Sequence, residues 1–207
     1  MADGEILYIG DPLCSWCWGI SNHYQQLIGK YKDRFTSSIL MGGLRPGTTD
    51  PMDLQTKEYI RQHWEHVHEA SGQPFNYDLL KEDSVFVYDT EIPSRAVIVV
   101  RDLSPENAFE FFRDVQYTFY VENKDTNLEE TYYPLIKKYN IEKQLFSDQF
   151  NSAEKKKQCY EDFTEAGQYG ITGFPSVVFT HKKDLYALAL GYSTFERMDK
   201  IISEVIA

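Results

Sequence analysis

Two cysteines, Cys14 and Cys17, stand where a short apolar run gives way to a helical segment, and that placement constrains the fold more than any other feature of the chain. Glu5-Ile6-Leu7-Tyr8-Ile9-Gly10 is too short for a helix and fits a buried strand. Asp11-Pro12-Leu13 breaks it. Between Cys14 and Phe35, residues Trp18, Tyr24, Leu27, Ile28 and Tyr31 recur at intervals close to one or two turns, so a helix is predicted to begin at the first thiol. The first turn of a helix carries unpartnered backbone N–H groups and the positive end of the macrodipole. Both would stabilise a thiolate at Cys14, and the thiolate is the nucleophilic form. Cys14 is expected to be the more exposed thiol. Cys17, one turn on, is expected to be more buried and protonated, and placed to resolve a mixed disulfide from within the molecule. A zinc half-site is the second reading. It needs four ligands, and Cys159 and the histidines His63, His66 and His68 converge poorly for that purpose. Inert thiols are the third. The strand–helix junction favours the redox pair.

Ser37 to Met41 reads as a second strand, closed by Gly42-Gly43. With a helix between them, the two strands should lie parallel through a right-handed crossover. The middle of the chain is helical. Leu54, Ile60, Trp64 and Val67 mark one apolar face, and Ser94-Arg95-Ala96-Val97 opens another helix. Ser104-Pro105-Glu106 reads as an N-cap, a first-turn proline and an acid at the positive end, followed by Phe109, Phe112, Val115 and Phe119 on one face. Pro134 should delay or kink the next helix. Ser152 caps one through Cys159, Phe163 and Ala166. Sheet character then returns. Ser176–Thr180 and Leu185–Leu190 form a hairpin about Lys182-Lys183-Asp184, and Thr194 caps a final helix with Phe195, Met198, Ile201, Ile202 and Val205 inward.

Charge follows the same division. The 207-residue chain has a net charge of −11. Residues 1–45 and 166–207 each balance four acidic against four basic side chains, while residues 46–165 hold 24 acidic and 13 basic. A neutral beginning and end around an acidic middle suggest a compact parent fold carrying an insertion. The negative balance argues against nucleic-acid partners, which need cations to neutralise phosphates. No stretch approaches the ~18 apolar residues of a membrane span, and no basic segment precedes the first apolar run, so a cytoplasmic location is expected.

A second segment completes the pattern: Gly170-Ile171-Thr172-Gly173-Phe174-Pro175-Ser176, entering a strand. Together with the cysteine pair it resembles the thioredoxin superfamily, whose proline at this position is cis and faces the two cysteines. The resemblance assigns that role to Pro175, and assigns Phe174 and Gly173 to substrate binding, the backbone of Phe174 being offered to an extended substrate segment. About 155 residues separate the two motifs. That spacing is similar to DsbA-type proteins, in which helices interrupt the parent fold. Asp11-Pro12-Leu13-Cys14-Ser15-Trp16-Cys17-Trp18-Gly19 is similar to the FrnE-like branch.

The resemblance implies an α/β protein with a thioredoxin-like domain formed by residues 1–45 and 166–207 around a central mixed sheet, and a large all-helical insertion domain at 46–165. It implies a thiol–disulfide oxidoreductase, a protein disulfide reductase or isomerase in a reducing cytosol. Cys14 and Cys17 would be catalytic, with Asp11, Ser15, Trp16 and Pro175 in support. Substrates would be protein or peptide thiols and disulfides. Glutathione or a thioredoxin-type reductant would supply electrons, with no cofactor and no metal. Relatives carry Pro or His between the cysteines, where this chain has Ser15-Trp16. They carry a buried carboxylate six residues before the first cysteine, where this chain has Tyr8; Asp11 is the nearest substitute as proton acceptor. Trp16 is expected to be exposed, Trp18 to pack, and Cys159 to be a buried inert thiol. The alternatives are a glutathione-dependent isomerase or transferase of the kappa-class or hydroxychromene carboxylate isomerase type, whose members usually replace the first cysteine by Ser, and a binding module presenting an acidic helical face.

Overall fold

The first apolar run forms a strand, β1 (Gly4–Gly10), in a computed structural model whose described residues are 4–207. Met1, Ala2 and Asp3, on which part of the leader reading rests, lie outside the described residues. After β1 come α1 (Ser15–Tyr31) and β2 (Thr36–Met41). Six helices follow: α2 (Leu54–Ser71), α3 (Glu91–Leu103), α4 (Ala108–Tyr120), α5 (Tyr133–Lys138), α6 (Lys143–Phe150) and α7 (Ala153–Gln168). The chain closes with β3 (Ser176–His181), β4 (Asp184–Leu190) and α8 (Phe195–Val205).

The four strands form one mixed sheet in the order β2-β1-β3-β4. β1 runs parallel to β2 and antiparallel to β3, and β3 pairs antiparallel with β4. This is a thioredoxin-like arrangement. Side-chain alternation gives the sheet two faces. Ile6, Tyr8, Ile39, Met41, Val177 and Phe179 join the main core with α1, α3, α4 and α8. Leu7, Ile9, Leu40 and Val178 are covered instead by Ala166, Ile171 and Phe174. A second apolar cluster joins α2 and the 79–88 segment to Trp18 and Tyr120. Lys57, buried on α2, donates its ammonium to the carbonyls of Lys81, Glu82 and Ser84 at 2.8, 3.1 and 2.5 Å, which ties that segment down.

Several boundaries differ from the sequence expectation for identifiable reasons. α3 begins at Glu91, not Ser94, because Pro93 falls in the first turn, where a missing N–H costs nothing. Ser104 does not cap α4. Its hydroxyl donates to Glu106 at 2.7 Å, and residues 105–107 form a separate 3-10 turn. Leu54, read as part of an apolar face, lies at the very start of α2 and is 57% exposed. α6 has no counterpart in the sequence expectation. Pro134 starts α5 late instead of kinking it. Ser152 and Thr194 do cap α7 and α8, accepting from Lys155 N and Arg197 N.

The β3–β4 hairpin turns on Lys182 and Lys183, with φ of +49° and +76°. Two successive positive φ values suit an asparagine followed by a glycine and oppose lysine, because the left-handed region crowds Cβ. The double substitution Lys182→Asn with Lys183→Gly is therefore expected to raise stability by about 1 kcal/mol, read as a higher urea midpoint at unchanged slope. An unchanged midpoint would show that the turn is not under this strain.

Candidate active site

Cys14 occupies the N-cap of α1 in extended geometry (φ −83°, ψ 115°), and its carbonyl accepts the first helical bond from Trp18 N at 3.1 Å. Its side chain makes no capping bond, and no acid lies in the first turn to repel an anion. The Cys14 thiol donates instead to the carbonyl of Phe174, 160 residues downstream, with Sγ 3.5 Å from the oxygen. The Phe174–Pro175 peptide is cis. The fold thus brings the two sequence motifs into direct contact.

Cys17 lies beside Cys14, and both thiols are free. As expected, Cys14 is the more accessible of the two, although at 6% exposure it is itself buried, with the Phe174 backbone against it. Cys17 is fully enclosed. Burial pushes its pKa up, and the neighbouring Cys14 thiol adds to this; the Asp11 backbone and the Tyr8 hydroxyl pull it down.

The segment between β1 and α1 is held from several sides. Cys14 N donates to Asp11 O at 3.1 Å. The fully buried Asp11 carboxylate accepts from Leu13 N at 2.9 Å and Leu44 N at 2.7 Å, joining the β1–α1 and post-β2 loops. Burial raises its pKa to about 6, against the opposing pull of those two donors. The Tyr88 hydroxyl donates to Leu13 O. Two glycines clear the space. A Cβ on Gly42 would lie 2.2 Å from the Phe174 ring, and one on Gly10 would lie 2.5 Å from the Tyr8 ring and 3.0 Å from Cys17 Sγ.

The remaining candidates fall around this centre. Ser15 and Trp16 are half-buried. Trp16 is therefore less free than expected; its ring packs 5.7 Å from that of Tyr192, whose hydroxyl pairs with His23 Nε2 at 3.2 Å and donates to Ala70 O at 3.2 Å. Trp18 is buried, stacks 6.2 Å from Tyr120 and donates to Pro74 O at 3.0 Å. Pro175 is buried, while Gly173 is exposed and borders a cleft of about 220 Å³ with Ile171, Thr172, Phe174, Leu190 and Gly191. Cys159 lies apart, fully buried, with its thiol against Glu91 O at 3.7 Å and its pKa pushed up by burial. The three histidines of α2 do not assemble with the thiols, and no metal-holding cluster exists among the described residues. Tyr88, Tyr120 and Tyr192 are neighbours of the site that sequence reasoning misses. Each lies far from both motifs in sequence, and no local pattern distinguishes them from core aromatics.

A thioredoxin family model matches residues 7–199. A solved protein from Nitrosomonas europaea, titled a "putative protein disulfide isomerase", is 31% identical over 99% of this chain and 98% of its own, with a TM-score of 0.90. The cytosolic disulfide reductase DsbM from Pseudomonas aeruginosa is 21% identical over 98% of each chain, with a TM-score of 0.81. Its structure with glutathione covers 98% of this chain and 100% of its own at 21% identity and a TM-score of 0.78. No curated protein matches the chain.

Proposed function

This chain belongs to the thioredoxin family, and on that premise we propose that it is a DsbA-type dithiol–disulfide oxidoreductase, a reductase or isomerase of protein and peptide disulfides working through Cys14 and Cys17. The observation that carries this reading is the Cys14 thiol at a helix N-terminus, touching the carbonyl that precedes cis Pro175, with a second thiol beside it. The Cys14 thiolate attacks one sulfur of a substrate disulfide, forming a mixed disulfide and releasing one substrate thiolate. Cys17 then attacks Cys14 Sγ and releases the second. Two electrons pass from the dithiol to the substrate, and the Cys14–Cys17 disulfide remains. External thiol restores the pair, glutathione or a thioredoxin-type reductant being the donor, in a cytoplasmic setting. Asp11 holds the loop and accepts protons; Ser15 and Trp16 border the entrance; Gly173 and Phe174 receive the substrate backbone. Residues 46–165 act as a helical insertion domain into the parent domain of 1–45 and 166–207.

Mass spectrometry across a glutathione redox series tests the reading. The peptide containing Cys14 and Cys17 should lose two hydrogens reversibly at a defined ratio of reduced to oxidised glutathione. A pair that stays dithiol throughout would overturn it. Turnover of a small electrophile that survives loss of both thiols would favour the glutathione-dependent isomerase or transferase instead.

A further inference from the structure

We propose that Tyr8 is the hydrogen-bond donor that stabilises the Cys17 thiolate in the resolving step, its hydroxyl turning from the Cys17 carbonyl to the Cys17 sulfur as that thiol ionises. The inference rests on the dithiol reading above and adds a residue to it.

Tyr8 lies on the central strand β1 and is completely buried. Its ring is wedged among Tyr24, Phe109 and Phe112, with centroids at 4.7, 5.4 and 5.5 Å, so the ring cannot swing away. Its hydroxyl donates to Cys17 O at 3.4 Å, a long bond that leaves little to lose on rotation. Its carbonyl partner belongs to the same residue as the thiol, and the Tyr8 hydroxyl pulls the Cys17 pKa down. Gly10 lets the two groups share one small space, since any Cβ there would meet both the phenol ring and Sγ.

The chemistry requires such a donor. Cys17 has no access to water, and charging a buried sulfur without a partner is costly. A phenol proton is well placed to serve, because Tyr8's own ionisation is pushed up by burial and it stays a donor throughout. In the step, the Cys17 S–H bond breaks, Cys17 Sγ bonds to Cys14 Sγ, and the bond from Cys14 to the substrate sulfur breaks. The Cys17 proton passes to the carboxylate of the neighbouring Asp11, the acceptor in the dithiol reading, and from there to the departing thiolate, while Tyr8 keeps its own. The other titratable groups facing Cys17 are Cys14 and Asp11 from the loop before α1, with Tyr88 and Tyr120 packed beside Cys14.

The test uses the full chain carrying a thionitrobenzoate mixed disulfide on Cys14, whose coloured thiol is released when Cys17 attacks. Tyr8→Phe should slow release about tenfold at neutral pH and move the midpoint of its pH profile up by about one unit. The rate at which Cys14 forms the adduct should stay the same. Tyr24→Phe removes a neighbouring buried hydroxyl, bonded to Ile6 O, and should leave both rates unchanged. If release by Tyr8→Phe matches the parent in rate and midpoint, or if Tyr24→Phe shifts it equally, the inference is wrong while the dithiol reading stands. A parent chain that releases no coloured thiol overturns both.

Discussion

Cys14→Ser is expected to abolish disulfide reduction, lowering the rate roughly a thousandfold or more to that of uncatalysed exchange. The substitution removes the attacking sulfur while keeping a small polar group at the N-cap, so α1 should persist. Cys17→Ser has a different signature. The attacking thiol remains, but the resolving step loses its intramolecular partner and the effective concentration that came with it. That variant should accumulate as a covalent adduct with its substrate, seen as a mass increase of one bound thiol that disappears on reduction. The pair of outcomes discriminates strongly. If Cys17→Ser turned over at the parent rate, exchange would be running through a single thiol. If Cys14→Ser retained activity, the assignment of the nucleophile would be wrong.

Asp11 should make stability fall as pH rises. Its carboxyl binds a proton more tightly in the folded chain than in the unfolded one, since burial raises its pKa from the ordinary 3.8 to about 6. The contribution is therefore complete below about pH 4 and is lost as pH climbs through 6, amounting to about 3 kcal/mol in full. Asp11→Asn cannot ionise. It surrenders one acceptor, which costs about 1 kcal/mol at every pH, but it removes the slope. Urea unfolding of both proteins between pH 4 and 7.5 should show the parent losing about 2.4 kcal/mol relative to the variant over that range. Parallel curves would mean that Asp11 titrates as an ordinary carboxylate.

What can be read from the residues is local. A β-period run, a breaker and a helical period place Cys14 at the N-cap, and capping side chains at Ser152 and Thr194 fix two helix starts. Where the reading slips, a contact distant in sequence is responsible. Trp16 meets Tyr192, which follows β4, and Cys14 lies under the Phe174 carbonyl, so neither is as open as its neighbours in sequence suggest. α6, with Phe146 and Phe150 in the core, offers only eight residues and no cap from its Glu142 side chain, so neither period nor start signal marks it. Tyr8 is visible only as a departure from a familial pattern; its orientation toward Cys17 depends on three rings, two of them in α4.

Gly42 has a consequence for anyone redesigning this protein. The aromatic ring of Phe174 rests where a methyl group would otherwise sit, at the end of β2, and Gly42 N is itself bonded to Gly10 O at 2.8 Å. The bare backbone there works as a bearing surface for the loop that holds the nucleophile's carbonyl partner. An alanine at this one position would force that ring out of its seat, next to the carbonyl that meets the nucleophile, so libraries aimed at altered specificity should leave Gly42 alone and vary the rim at Ile171, Thr172 and Leu190.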